Sequence, residues 1–366
     1  MRINYYLYDT LDVKAARLTQ IRQTVNNLVY QNIEVTLVLP FQVDDNRHGF
    51  DPRVNIVSLS KTAYYLRGWF GLMRYYCSAI QYMKQNHEAT SWIYFRHTSL
   101  LLMMAYACAR KYGCIIYEAH RLVQHGLGRI SESYLWNHQA ALVTISDSLL
   151  TLYRQRYPAL QAHNSIAIHD GVDLRLFSSH DSGEARNRLG IDPAAKLVMY
   201  VGSLWLIKGV DVLVAAARMR PDIQWYLIGR QMPDFVAWLH SQQLTDNLHI
   251  VSEVRHREVP TYLQGADILV IPHPDNQRSQ SPLKAFEYLA SGKYIIASNA
   301  PSLREIMPST VGWFEPGKSD GLVAAVDDYW HNKEHYDTVA QGNISYVRKF
   351  TWDARARAIR DFILSL

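Results

Sequence analysis

Cysteine is scarce in this 366-residue chain, with only Cys77, Cys108 and Cys114. They show no metal-ligand spacing and, being three, cannot all pair, which suits a reducing compartment. No apolar run reaches the roughly 18 residues that a membrane-spanning helix needs. The stretch Leu100 to Ala109 is too short, and Arg110-Lys111 closes it as a helix end. The first residues read as a strand rather than a leader, since no cleavage-site pattern follows. No G-x-G-x-x-G follows that strand, which argues against a nicotinamide dehydrogenase, and no P-loop is present. No Asp-x-Asp pair suggests a metal-held diphosphate, and His125, His169 and His273 lack a mutual spacing for a metal. Clustered basic runs are absent too, so nucleic acid is set aside.

The net charge of +5 is mild and compatible with anionic partners without naming one. Hydrophobic residues at 48% and this length allow two α/β domains with real cores. Short apolar runs alternate with helical periodicity along the chain, which predicts parallel sheets covered by helices. Strands are predicted at 3–8, 34–39, 55–59, 91–95, 115–118, 139–145 and 166–168. The second series is predicted at 198–201, 225–228, 248–251, 268–271 and 295–297. Helices are predicted at 15–31, 69–85, 100–111 and 352–366. The polar stretch Ser178 to Gly183 reads as a linker.

Two segments carry chemistry. Ser281-Pro282-Leu283-Lys284-Ala285-Phe286-Glu287-Tyr288-Leu289-Ala290-Ser291-Gly292-Lys293 reads as a capped helix before a buried strand. Ser281 suits the N-cap, Pro282 the first helical position and Gly292 a left-handed stop. Free N–H groups at such a start, with Lys284 in the first turn, suit a phosphate. Glu287 is placed to hold ribose hydroxyls. The plainer alternative is a surface Lys284–Glu287 pair worth a few tenths of a kcal/mol. In the second segment, Lys196 to Ser203 is a strand ending in Gly202. Leu204 to Ile207 lead to Lys208-Gly209-Val210-Asp211 at the mouth of a helix. This again suits a phosphate, although an isolated Lys208 is more often solvated.

Together these segments resemble the retaining glycosyltransferases of the GT-B fold, in the large group called family 4. Tyr200-Val201-Gly202-Ser203-Leu204 with Lys208-Gly209 is similar to that group's glycine strand and lysine turn. Ile168-His169-Asp170-Gly171-Val172-Asp173 through Phe177 is similar to its interdomain segment. Ala266-Asp267 through Pro272 is similar to its strand ending in proline, and Thr144 to Ser148 to its serine turn. The likeness covers most of the chain. It implies two Rossmann-like domains with parallel sheets facing across a cleft. The first, 1–177, would take the acceptor and the second, 178–350, the nucleotide sugar. A helix over 351–366 would cross back to the first domain. The implied reaction moves a sugar from a nucleotide-diphosphate sugar to a glycan or lipid-linked acceptor with retention. The Ser-Pro-Leu-Lys form is familiar in members that build surface polysaccharide. No cofactor or metal is implied.

The resemblance assigns His120, Lys208 and Glu287 to catalysis. Gly202, Ser203, Lys208, Arg278, Ser281, Leu283 and Lys284 would hold the diphosphate, and Glu287 the ribose. Asp9, Thr10 and Glu118 are candidate acceptor contacts. Two departures bear on the donor. Ser203 stands where the group often has arginine, and Ser279 where it has the first of two glutamates. Arg278 is the candidate replacement cation. His120 follows the strand end 115–118, where open α/β sheets place ligands. Lys61 to Lys84 interleaves Tyr64, Tyr65, Trp69, Phe70, Tyr75, Tyr76 and Tyr82 with cations. That composition suits a membrane interface, or a core helix with snorkelling cations. The expected location is cytoplasmic, peripheral at the inner membrane face. A non-catalytic sugar-nucleotide subunit and a sugar-nucleotide epimerase are the competing readings.

Overall fold

The computed structural model describes residues 1–7, 16–40, 49–60, 68–86, 88, 91–96, 115–124, 126–138, 140–178, 181–274 and 283–366. The chain divides into two compact units, Met1–Asp170 with Trp352–Leu366, and Gly171–Thr351. The first unit therefore closes at Asp170, seven residues before the predicted 177. The reason is packing: Val172 and Phe177 are buried in the core of the second unit.

The first unit holds seven strands: β1 (Arg2–Tyr6), β2 (Glu34–Leu39), β3 (Asn55–Ser58), β4 (Ser91–Phe95), β5 (Ile115–Ala119), β6 (Ala141–Thr144) and β7 (Ser165–Ala167). All pair in parallel in the order β3-β2-β1-β4-β5-β6-β7. The second holds β8 (Leu197–Val201), β9 (Gln224–Ile228), β10 (Leu248–Val251), β11 (Ile268–Ile271), β12 (Tyr294–Ser298) and β13 (Gly312–Phe314). These too are parallel, in the order β10-β9-β8-β11-β12-β13. In each sheet the first strand lies at the centre, so the strand order reverses beside it. Open parallel sheets bind ligands at the carboxyl ends of the strands flanking that reversal. In the first unit these strands are β1 and β4, and in the second β8 and β11.

Each sheet is buried on both faces, which is why its strands are continuous apolar runs. In the first unit one face packs Tyr76, Ala79 and Met83 against Tyr117, Leu142 and Tyr153. The other packs the helix Ala16–Tyr30 and the terminal helix Trp352–Ser365 over Ile3, Val35, Leu37 and Val143. The terminal helix belongs to this face because Ala356, Ile359, Phe362 and Ile363 form one buried stripe at helical spacing. Its polar edge is tied to the first helix by Gln31, which donates to Asp353 at 2.7 Å and accepts from Arg360 at 2.9 Å.

The aromatic-rich segment 61–84 is resolved by burial. Its first part, 61–67, lies outside the described residues. Over the helix Gly68–Asn86, Tyr75 and Tyr76 turn into the core, and Tyr75 donates to the Leu7 carbonyl at 2.8 Å. Phe70, in contrast, is 88% exposed. The core-helix alternative describes Tyr75 and Tyr76, and the expected membrane contact through these two rings is corrected accordingly. The short β13 was not predicted, since three residues carry too little periodicity. Among the described residues no helix is long and apolar enough to cross a membrane. Tyr76→Ala should cost about 3 kcal/mol, the usual range for emptying an aromatic core site. Phe70→Ala should stay within about 0.5 kcal/mol. Urea midpoints of the two variants check the orientation, and equal losses would refute it.

Candidate functional site

In the second unit the two phosphate-type segments meet at the β8–β11 reversal. The helix Leu283–Ser291 begins the first of them, and we call it the site helix. Tyr288 on this helix locks it to the end of β8. Its hydroxyl accepts from the Val201 amide at 2.7 Å and donates to the Val201 carbonyl at 3.2 Å. Gly202 follows with φ +153°, a conformation that side chains rarely adopt. A Cβ there would lie 2.5 Å from Lys284 Nζ, so glycine is what lets the lysine cross the strand end. Lys284 donates to the Tyr200 hydroxyl at 2.5 Å and lies 3.8 Å from the ring centroid. Tyr200 in turn donates to the Ser203 carbonyl at 3.0 Å, while the Ser203 side chain is exposed.

Lys208 ends a single 3₁₀ turn, Leu206–Lys208. Gly209 closes it with φ +73°, and a Cβ there would come within 2.0 Å of the Pro272 carbonyl oxygen. The lysine turn therefore rests directly on the residue after β11. Among the described residues the Lys208 ammonium has no hydrogen bond or ion pair, while the residue's amide donates to the Trp205 carbonyl at 2.8 Å. Burial pushes its ammonium below the ordinary lysine range. Lys284 is pushed well below that range by burial and then by the charge of Lys208, with Glu287 opposing. The next residue along from Pro272, His273, is 1% exposed and, among the described residues, has no hydrogen-bond partner on either ring nitrogen. Burial, then Lys284 and Lys208, hold it well below the usual histidine range. Two crowded lysines and an imidazole without a partner among the described residues gather positive charge, opposed at Lys284 by Glu287, in a way that suits an anion.

Glu287, one turn along the site helix, bonds His256 Nε2 at 3.0 Å and remains partly accessible. The plain Lys284–Glu287 surface pair is not formed; each side chain has another partner. Leu283 opens the site helix, half-buried. Arg278 and Ser281 lie outside the described residues, as do Asp9 and Thr10.

The first unit has its own polar centre. His120 follows β5, and its Nε2 lies 2.5 Å from Glu118 Oε1. Its Nδ1 lies 3.3 Å from Arg96 Nη2, and Arg96 also donates to Gln20 at 3.0 Å. Gln20 reaches on to Asp170 at 2.7 Å. Glu118 is 1% exposed and also meets Tyr94 and Arg355, the latter at 2.9 Å. This corrects the expectation for Glu118: a carboxylate so enclosed has no edge left for an acceptor. Its position in β5 explains this, because alternate strand residues face the covered sides of the sheet. Burial would raise its pKa, but Arg355, His120 and Arg96 hold it well below the carboxylate range. Sequence reasoning missed Arg96 and Arg355. Arg96 was legible as the residue just after β4, at the sheet's reversal. Arg355 had no local signal, since an arginine in an amphipathic helix is ordinarily solvated.

Residues 181–345 match the family model for glycosyl transferases group 1. Most of the second unit is therefore similar to the group 1 glycosyl transferases. Within the matched residues stand Gly202, Ser203, Lys208, His273, Leu283, Lys284 and Glu287. A D-inositol 3-phosphate glycosyltransferase of Mycolicibacterium gilvum is 32% identical over 144 residues, covering 36% of this chain and 30% of that protein. The lipopolysaccharide core mannosyltransferase LpsB of Rhizobium meliloti is 27% identical over 199 residues, covering 51% and 53%. The chain thus spans about half, or less, of the curated relatives it matches. Among solved structures, Anabaena HepE in complex with UDP and glucose superposes with a TM-score of 0.79 at 17% identity, covering 100% of both chains. The two parallel-sheet α/β units and such neighbours make the architecture GT-B.

The buried lysines give a testable asymmetry between stability and binding. A lysine whose folded pKa is depressed binds its proton more weakly folded than unfolded. Below the folded pKa its charge costs stability in full, and that cost is relieved as pH rises from the folded pKa to the higher unfolded one. Lys284→Met should therefore raise the unfolding free energy at pH 7 by roughly 0.5–2 kcal/mol, as substitutions that relieve site strain do. Gly202→Ala should displace Lys284 and weaken nucleotide binding about tenfold or more. Urea denaturation and nucleotide titration read the two effects. A less stable Lys284→Met would show that the site's charge is compensated.

Proposed function

We propose that this chain transfers a sugar from a nucleotide-diphosphate sugar to a glycan or lipid-linked acceptor, with retention of configuration. The observation that carries this reading is the crowding of Lys208 and Lys284 at the β8–β11 reversal, with no ion pair to either among the described residues, in a region that matches the group 1 glycosyl transferases. The departing nucleoside diphosphate gains negative charge in the transition state. Two ammonium groups already fixed in a partly dehydrated pocket stabilise that charge without reorganising. Charge-assisted contacts of this kind are worth about 1.5–3 kcal/mol each. The lysines supply the countercharge, so the step is written without a metal. Glu287 takes the ribose hydroxyls, displacing or sharing His256. His120 contacts a sugar hydroxyl from the first unit.

Retention follows from the family resemblance. The acceptor attacks the face from which the diphosphate leaves, and a donor phosphate oxygen receives its proton. No protein nucleophile is then needed, which accommodates Ser279 at the place of the first glutamate. The surface-polysaccharide acceptor is carried by the Ser-Pro-Leu-Lys resemblance; LpsB is a relative of that kind, whereas the D-inositol 3-phosphate glycosyltransferase is named for a small acceptor.

Thermal stabilisation by UDP-, GDP-, ADP- and dTDP-sugars tests the donor site, because a ligand of the folded state alone raises the midpoint. One base should stabilise the protein. Lys208→Ala and Glu287→Ala should each weaken that ligand at least tenfold with the fold intact. Full binding by both variants would sink the site assignment, and no response to any base would favour a non-catalytic subunit.

A further inference from the structure

The partners of His120 settle which nitrogen carries its proton. Glu118, held ionised by its arginines, can only accept, so Nε2 must be the donor in the 2.5 Å contact. Arg96 can only donate, so Nδ1 must offer its lone pair to Arg96 Nη2 at 3.3 Å. A ring with a donor against one nitrogen and a carboxylate against the other is a neutral Nε2–H imidazole. Burial and then the charge of Arg96 independently push the imidazole below the usual range, with Glu118 opposing.

Glu118 is fixed in its turn from the terminal helix. Arg355, with its side chain 1% exposed, places Nη2 2.9 Å from Glu118 Oε2. Its Nη1 donates to the carbonyls of Ile168 and His169, the latter at 2.9 Å. Asp170 lies 3.9 Å from Nη1. Tyr94 donates to the same Glu118 oxygen. The charged or titratable groups around the pair thus come from β4 (Tyr94), the residue after it (Arg96), the terminal helix (Arg355) and the end of the unit (Asp170). Tyr5 of β1, stacked on Tyr94 at 4.8 Å, completes the shell. One planar guanidinium thus donates from Nη1 to two carbonyls while its Nη2 lies at ion-pair distance from the carboxylate without forming a hydrogen bond, an arrangement that a lysine ammonium does not reproduce in the same geometry.

We propose that Arg355 is a positioning residue: through Glu118 it fixes His120 as the Nε2–H tautomer, leaving Nδ1 to accept a hydrogen bond from a substrate hydroxyl. In this arrangement His120 is an acceptor toward the sugar and not a proton donor, and Arg96 guards Nδ1 until a hydroxyl replaces it. The substrate half of this inference rests on the glycosyl-transfer reading above; the tautomer half does not. It gives the terminal helix, far away in sequence, a direct part in the chemistry of the β5 end.

The test is imidazole ¹⁵N spectroscopy of the full chain, with Arg355→Met and Arg355→Lys beside the wild type. Wild-type His120 should show the Nε2–H tautomer and stay neutral to a pH below the usual histidine range. Arg355→Met removes a positive charge, so His120 should titrate at higher pH and lose its single tautomer. Arg355→Lys keeps the charge and guards against a variant that fails to fold; it should restore the neutral ring but not the fixed tautomer. Turnover is read as nucleotide release from the sugar nucleotide that stabilises the protein best in the four-base panel. It should fall at least tenfold in both variants, while UDP binding, a property of the second unit, changes less than twofold. A wild-type ring protonated on Nδ1, or a spectrum unchanged in folded Arg355→Lys, overturns the proposal. So does a loss of turnover with an unchanged spectrum. If no sugar nucleotide binds the wild type, the donor reading fails and the spectrum still decides the tautomer.

Discussion

The second unit is organised around two lysines that have been taken partly out of water with no ion pair to either among the described residues. Lys208 reaches its place because Gly209 lets the turn sit on the Pro272 carbonyl, and Lys284 because Gly202 has no Cβ. Tyr288 then fixes the distance between the site helix and β8 with two hydrogen bonds to one residue. Burying an ammonium is unfavourable, and crowding a second one beside it more so. A fold that accepts that cost holds it in reserve for an anion. This is the usual conflict between a stable protein and a prepared site.

The first unit solves the opposite problem. Its centre is a buried carboxylate, and here the charges are balanced: Glu118 and Asp170 stand against Arg355 and Arg96, with His120 and Tyr94 beside Glu118. Breaking such a cluster by removing one partner is costlier than never having built it, because the remaining charge stays buried. The cluster also couples segments distant in sequence. Gln20, Tyr94, Glu118, Asp170 and Arg355 come from five parts of the chain, and the terminal helix joins the sheet through one of them. Balanced charge here gives a defined ring orientation, while unbalanced charge in the second unit gives affinity for anions.

Much of this was legible in the residues. Each strand of the β8–β12 series was predicted to within a residue at either end, because fully buried parallel strands are unbroken apolar runs. Lys208, Lys284 and Gly202 were legible as a set because glycine and lysine at strand ends have a local mechanism. Glu118 misled for the same reason that made it visible: a carboxylate at a strand end looks available, and only the neighbours crossing over it show that it is enclosed. The aromatic helix misled similarly, since Tyr75 and Tyr76 have the composition of an interface but the spacing of a core.

By itself the sequence determined the two series of parallel strands, the central place of glycine and lysine in the second, and the amphipathic terminal helix. These depend on periodicity and on backbone conformation, which act over a few residues. The tertiary structure alone decided which charges would be compensated. Arg355 and Glu118 are 237 positions apart, and Lys208 and Lys284 are 76 apart. Whether a charge is paired, crowded or solvated depends on what the fold brings within a few ångströms, and Coulomb energy falls with distance in space rather than along the chain.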